Sequence, residues 1–267
     1  MNLRRFENKT VLVVGAGWGI GEGIARRFAR EGANVVVAGR TLSKLERVTE
    51  SIKAEGGSVV SYAVDVGSPD EIRAMIKFTV DTFGSIDVLC NNAQFNEIAP
   101  LQDVSLEGWN NTLKIILTAC MLSMQAAYPY MKAQNGGVII NTGSTSGNRG
   151  DRKFAAYCAA KAGVHNLTRA AALDFADAHI RVNCVAPGVT ETPAIVRAFA
   201  DENGNFDPYW HALLDKSCPT GQINKPEDIA AMFAFLASDD ACQITGQIIT
   251  VDGGEGIYSA NLPSRDI

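Results

Sequence analysis

Tyr157 and Lys161 stand four residues apart in the run Ala155-Ala156-Tyr157-Cys158-Ala159-Ala160-Lys161-Ala162-Gly163, and Ser144 precedes the tyrosine by thirteen residues. An alanine-rich helix brings residues four apart onto one face, so the ammonium would lie beside the phenol. A free phenol titrates near ~10, too high for efficient proton exchange at neutral pH. A fixed cation alongside favours the phenolate and lowers that value. Ser144, in Asn141-Thr142-Gly143-Ser144, would orient or stabilise a substrate oxygen. The three residues are a candidate proton-transfer site. Taken alone, a Tyr-x-x-x-Lys pair also describes an ordinary surface contact, and the rest of the chain has to decide between the two.

The N-terminal segment Thr10-Val11-Leu12-Val13-Val14-Gly15-Ala16-Gly17-Trp18-Gly19-Ile20-Gly21 is an apolar run that breaks into glycines and then into a helical pattern through Ile24, Ala25, Phe28 and Ala29. It predicts a strand, a tight turn and a helix. Glycines at such a turn let backbone N–H groups approach a pyrophosphate, and the positive end of the following helix favours the anion. The spacing of Gly15, Gly19 and Gly21 is Gly-x-x-x-Gly-x-Gly, while Gly17 makes a Gly-x-Gly pattern partly legible as well. A plain strand-to-helix turn is the alternative.

Short β-branched runs recur along the chain at Val11–Val14, Val35–Ala38, Val59–Ala63, Ile86–Cys90, Val138–Thr142, Ile180–Val185 and Ile248–Val251, with helical patterns between them. Seven apolar strands alternating with helices predict an α/β fold: one doubly wound domain whose seven-stranded parallel sheet is flanked by helices on both faces. Ligands bind such sheets outside the carboxyl ends of the strands. Gly15, Asp65, Asn91, Ser144 and Pro187 each follow a predicted strand and would converge there. With 267 residues and 46% hydrophobic content the chain can bury one large core, and no linker, repeat or low-complexity tract divides it. A single domain spanning 1–267 is expected.

Composition narrows the partners. The formal net charge is -5 and no dense Lys/Arg block occurs, which argues against nucleic acid. No run reaches the ~20 apolar residues that span a bilayer, and Arg4 and Arg5 precede no signal-peptide core, so a cytoplasmic protein without a membrane role is expected. Six cysteines are scattered without a Cys-x-x-Cys, as buried thiols of a reducing compartment would be. His165, His179 and His211 share no ligand spacing with them, and no metal site is expected.

The glycine loop, Asn91-Asn92-Ala93 after a strand and the Ser144/Tyr157/Lys161 set together resemble the short-chain dehydrogenase/reductase family in its single-domain Rossmann form. Asp65-Val66, Pro187-Gly188 followed by Thr192, and Asp252-Gly253-Gly254 add matches in the family's order over nearly the whole chain. The resemblance implies direct hydride transfer between a nicotinamide and a carbinol or carbonyl carbon. Tyr157 would be the acid or base, Ser144 would hydrogen-bond the same oxygen, and Lys161 would hold the nicotinamide ribose. It also implies a dinucleotide contact surface of Gly15, Gly17, Trp18, Gly19, Ile20, Gly21, Arg40, Asp65, Val66, Asn92, Ala93, Tyr157, Lys161, Pro187, Gly188 and Thr192. Asp65 and Val66 would hold the adenine, Asn92 would support the nicotinamide loop and Thr192 would orient the carboxamide. Asp65 has a second reading, as the cap of the helix that begins near Ser68-Pro69.

Cofactor choice rests on Gly39-Arg40 at the end of the second strand. An acidic residue there would favour NAD(H), whereas an arginine pairs with a 2′-phosphate, so NADP(H) is favoured. Trp18 counts the other way, because NADP-dependent relatives often carry a second basic residue there; NAD(H) therefore stays open, as does Arg40 as a solvated helix-start residue. Two positions depart from the family. Seven residues past Trp109 related chains have an asparagine whose helix kink holds a proton-relay water, and here that residue is Ile116. Gln94 replaces the glycine of the family's Asn-Asn-Ala-Gly.

Specificity in the family resides in the segments here numbered 95–101, 145–154 and 190–219. The last contains Phe199, Phe206, Tyr209, Trp210 and His211 in a chain only 7% aromatic, as a lid over an apolar or cyclic substrate would, or equally a core stripe or subunit contact. Arg149, Arg152 and Lys153 would attract a substrate carboxylate or phosphate, or merely form a solvated turn. The expected partner is a small secondary alcohol or ketone, with a second copy of the chain in a homodimer or homotetramer. An intact Ser/Tyr/Lys set points to an NADP(H)-dependent alcohol dehydrogenase or carbonyl reductase; a non-catalytic dinucleotide-binding sensor or scaffold of the same fold is the alternative.

Overall fold

The computed structural model describes residues 4–257, and the ends of the expected 1–267 domain lie outside the described residues. Seven parallel strands form one sheet: β1 (Thr10–Val14), β2 (Asn34–Gly39), β3 (Ser58–Ala63), β4 (Val88–Asn91), β5 (Gly137–Thr142), β6 (Ile180–Pro187) and β7 (Ile248–Val251). Their order is β3-β2-β1-β4-β5-β6-β7. The helices between them are α1 (Gly19–Arg30), α2 (Leu42–Ala54), α3 (Pro69–Phe83), α4 (Leu106–Leu113), α5 (Ala119–Ala133), α6 (Ala155–Asp174), α7 (Pro193–Ala198), α8 (Pro208–Ser217) and α9 (Pro226–Ala237).

The continuous apolar runs follow from burial on both faces. Val11, Val13, Val35 and Val37 pack with Ile24 and Phe28 of α1 and Phe233 of α9. Leu12, Val14, Val36 and Ala38, one residue out of phase, pack with Ile72, Met75 and Ile76 of α3 and Met124 and Met131 of α5. Strand order reverses between β1 and β4, where Val14 lies opposite Asn91. Such a switch point opens a crevice at the strands' carboxyl ends, and the glycine loop after β1 and Asn92 after β4 flank it.

Two expectations need correction. The fourth strand begins at Val88 and not at Ile86, because Asp87 turns its carboxylate onto the Thr10 N–H at 2.9 Å and onto the Ser85 hydroxyl at 2.8 Å at the strand's entrance. Nor does Asp65 cap α3. Ser68 is the N-cap, its Oγ accepting the Glu71 N–H at 3.4 Å, while Asp65 Oδ1 accepts the Gly67 N–H at 2.9 Å. The capping position is one residue before the proline that starts the helix, where the serine hydroxyl is in reach and the aspartate is not.

Candidate active site

α6 carries two of the candidate proton-transfer residues, Tyr157 and Lys161. Lys161 is 1% exposed, and its Nζ donates to the Thr142 carbonyl at the end of β5 at 2.7 Å. The same atom lies 5.4 Å from the Tyr157 ring centroid, one helical turn back. An ammonium has three donors, and that carbonyl takes one. A buried cation with two further donors beside a phenol fits a ligand hydroxyl and a phenolate as partners. Tyr157 is half-buried, its ring edge-on to Phe154 at 6.1 Å.

Ser144 enters the site from β5, N-capping the short turn Thr145–Gly147, with its Oγ accepting the Ser146 N–H at 3.1 Å. His165, one turn beyond Lys161 on α6, escaped the sequence reading of the site. Its Nε2 accepts the Ser144 N–H at 3.4 Å. The ring fills a niche that two glycines leave open: a Cβ on Gly143 would lie 2.4 Å from Nε2 and one on Gly147 2.5 Å from Cε1. Burial, helped by the Lys161 and Arg169 charges, lowers the His165 pKa to about 4, so the ring is a neutral acceptor at physiological pH. Two glycines flanking Ser144 and a histidine four past Lys161 were the available signal, but only the folded chain brings them together.

A groove runs from the glycine loop across the switch point. Gly15, Gly17, Trp18, Gly19, Ile20, Arg40, Val66, Asn92, Ala93 and Thr192 line it, together with Gln94 and Ile115. Gly15 has φ +80°, and a Cβ there would meet Ala93 Cα at 2.9 Å. Gly21 does not line the groove; it lets α1 close on the loop, since its Cβ would lie 2.1 Å from the Gly15 carbonyl oxygen. Asn92 Nδ2 donates to that carbonyl at 3.1 Å, and its Oδ1 accepts the Thr142 hydroxyl at 3.1 Å, tying the loops after β1, β4 and β5 together. No side chain caps the N-terminus of α1, which leaves backbone donors for an anion. These features fit a dinucleotide.

Asp65 is exposed, and the groove wall beside it is made by Val64 and Val66. Pro187 ends β6, and Gly188 donates to the Val251 carbonyl at 2.9 Å, passing so close to Asp252 that a Cβ would meet its Cβ at 2.6 Å. Thr192 N-caps α7 through Oγ1, which accepts the Ile195 N–H at 3.4 Å. Arg149 is not a free cation: it pairs with Glu255 and, at 3.5 Å, with Asp151. Glu255 in turn accepts the Val189 N–H at 3.1 Å, so the arginine ties the loop after β5 to the one after β6.

Ile116 sits inside a π-helical turn, Lys114–Thr118, that joins α4 to α5, with the Ala119 N–H reaching back five residues to the Lys114 carbonyl. Its side chain is 3% exposed and packs with Ala160, Val164 and the Tyr157 ring. Single π turns inside α-helices recur at functional sites. The helix thus deforms at this position with isoleucine in place of asparagine.

Fold and site together define a doubly wound dinucleotide-type domain with a Ser, Tyr and Lys cluster at the carboxyl edge of its sheet. The enoyl-(acyl carrier protein) reductase family model matches residues 15–255. The cyclohexanol dehydrogenase of Acinetobacter sp. (strain SE19) is 37% identical over 250 residues, covering 93% of this chain and 95% of the relative. The cis-4-hydroxycyclohexanecarboxylate dehydrogenase of Sinomonas cyclohexanicum is 37% identical over 250 residues, covering 93% and 97%. A solved 7α-hydroxysteroid dehydrogenase in complex with NADH and 7-oxo glycochenodeoxycholic acid superposes with a TM-score of 0.88 at 30% identity, over 95% of this chain and 96% of that one. The chain belongs to the short-chain dehydrogenase/reductase family, a family of nicotinamide-dependent oxidoreductases.

Proposed function

We propose that this protein is an NADP(H)-preferring oxidoreductase that interconverts an apolar, cyclic secondary alcohol and its ketone. The observation that carries the reading is the buried Lys161 ammonium beside Tyr157, next to a groove shaped for a dinucleotide. A bound nicotinamide supplies the hydride donor or acceptor. Lys161 and Tyr157 would hold the nicotinamide ribose, the loop of Gly15, Gly17, Trp18, Gly19 and Ile20 would cradle the pyrophosphate with Gly21 packed behind it, and Asp65 and Val66 would hold the adenine. Ala93, Pro187 and Gly188 would form the walls, Asn92 would fix the loop beside the ring and Thr192 would orient the carboxamide.

Proton transfer belongs to the chain's own groups. In the reductive direction Tyr157 gives its proton to the carbonyl oxygen while Ser144 Oγ hydrogen-bonds the same atom. Lys161 stabilises the phenolate that remains. His165 holds the Ser144 backbone and so sets where Oγ points. In the oxidative direction the phenolate takes the hydroxyl proton.

The cyclic substrate class rests on two supports. Relatives at 37% identity are named for cyclohexanol and a hydroxycyclohexane carboxylate. The segment 190–219 is the lid: Phe199 at the end of α7 lies 5.2 Å from Trp210 of α8, whose neighbour Tyr209 is 5.4 Å away, and Trp210 is 40% exposed. Aromatic faces of this kind exclude water from an apolar ring. Among the described residues no helix is long and apolar enough to cross a membrane, in keeping with a cytoplasmic enzyme. A panel of cyclic and acyclic ketones and secondary alcohols, followed by nicotinamide absorbance, tests the reading. Turnover of cyclic members is expected, and no turnover of any member would favour a non-catalytic binder.

A further inference from the structure

The positive charge around the groove is unevenly balanced. On α1 and α2, Arg26, Arg27, Arg30 and Arg47 all pair with Glu22, Glu31 or Glu55. Arg40 and Lys44 line the groove, and neither forms a salt bridge among the described residues. The first turn of α2 holds no acid that could neutralise them. The two unpaired cations therefore face the end of the groove at which β2 stops.

Lys44 is held in place without using its donors. Its Nζ lies 4.6 Å from the centroid of the Trp18 ring, and its stem packs on the glycine loop, where a Cβ on Gly17 would meet Lys44 Cβ at 3.2 Å. Arg197 of α7 rests on the same indole, with Cζ 5.5 Å from the centroid, and buttresses it from the lid. A cation over an aromatic face is attracted by the ring's quadrupole, and because the Lys44 ammonium makes no hydrogen bond to a protein oxygen among the described residues, donors remain for a ligand. Trp18, which the sequence sets against NADP(H) because it displaces a basic residue, therefore supports a cation supplied by the next helix.

We infer that Lys44, seated on Trp18, is a second partner of the cofactor's 2′-phosphate alongside Arg40, and that Trp18 is the positioning residue for it. The inference deepens the NADP(H) reading and rests on it. Arg40 and Lys44 would each offer charge-assisted hydrogen bonds to a phosphate dianion bound in the groove that both line.

Two fragments that differ only in the 2′-phosphate, adenosine 2′,5′-bisphosphate and 5′-AMP, give the test by isothermal titration of the full chain. The parent is expected to prefer the bisphosphate. Lys44→Gln should cut that preference about tenfold, the size of one charge-assisted hydrogen bond, with 5′-AMP affinity unchanged. Lys44→Arg should restore most of it, and Trp18→Leu should lose part of it. A folded Lys44→Gln protein that keeps the full preference overturns the role of Lys44 while leaving Arg40 in place. Equal loss of affinity for both fragments also overturns it, because the lysine would then serve packing alone. A parent protein that binds the two fragments equally overturns the NADP(H) reading as well.

Discussion

Replacing Tyr157 by phenylalanine removes one hydroxyl and keeps the ring that packs against Phe154. Turnover of an accepted alcohol should fall by at least ~10², the contribution of a positioned general acid. The dinucleotide should still raise the melting temperature, since the phenol makes few of its contacts. Equal rates for variant and parent would remove Tyr157 from the mechanism. At Arg40 the same thermal measurement tests cofactor choice: NADPH should stabilise more than NADH at equal concentration, and Arg40→Ala should shrink the difference. If the two stabilise alike, Arg40 has no phosphate partner. His165 makes a prediction in pH. Its pKa in the fold, about 4, lies below the ordinary 6.5, so the unfolded chain binds the extra proton first as pH falls. Its contribution is complete above about 6.5 and is lost progressively down to about 4, by on the order of 3 kcal/mol. Urea midpoints at pH 7.5, 5.5 and 4.5 should show the parent losing more stability than His165→Ile, and parallel losses would assign the acid sensitivity to other groups. The proposed catalytic set could be singled out in the sequence because its residue types sit at fixed spacing on one helix and one strand end. His165 was not, since a lone histidine on an apolar helix gains meaning only when β5 brings Gly143 and Gly147 against it.

The seven strands could be read from their apolar runs because a strand buried on both faces has little room for polar residues. Their ends were harder to place. β4 starts two residues late because the Thr10 N–H, which would extend the ladder, goes to the Asp87 carboxylate, and a carboxylate in a loop gives no such notice in sequence. The π turn at Lys114–Thr118 is a deeper case: it is a change of backbone hydrogen-bond register that no residue type encodes. At Ile116, where related chains have asparagine, the helix still deforms. Its consequence can be tested. If the backbone of the turn serves proton exchange with Lys161, Ile116→Asn should alter turnover and its pH profile only modestly, since the side chain was never the carrier. Burying an amide next to Val164 and Ala160 also costs stability unless both its ends find partners, so the melting temperature must be read beside the rate. A folded Ile116→Asn protein that gains a hundredfold in turnover would show the isoleucine to be a block, and the parent a weak catalyst.

At the scale of the molecule, the helices that cover one face of the sheet leave apolar side chains uncovered. Leu173 near the end of α6 is 81% exposed, Leu106 at the start of α4 is 75% exposed and Met121 on α5 is 38% exposed. Composition and strand pattern gave the single doubly wound domain, because one sheet needs helices on both sides and the chain is long enough to supply them. They gave nothing on which helix faces remain bare, since exposure is settled by how α4, α5 and α6 pack together. Single exposed leucines are unremarkable, but several on neighbouring helices of one layer are a liability unless a partner covers them. A second copy would be a partner of the right symmetry, its α5 and α6 presenting the same residues in return. Light scattering at micromolar concentration should therefore give a dimer or tetramer. Leu173→Glu would place a charge at the bare end of α6, and where that end lies in the contact the assembly should dissociate on dilution at lower stability. A parent that stays monomeric throughout that range would mean the exposed leucines are covered by nothing, and the site would have to work within one chain.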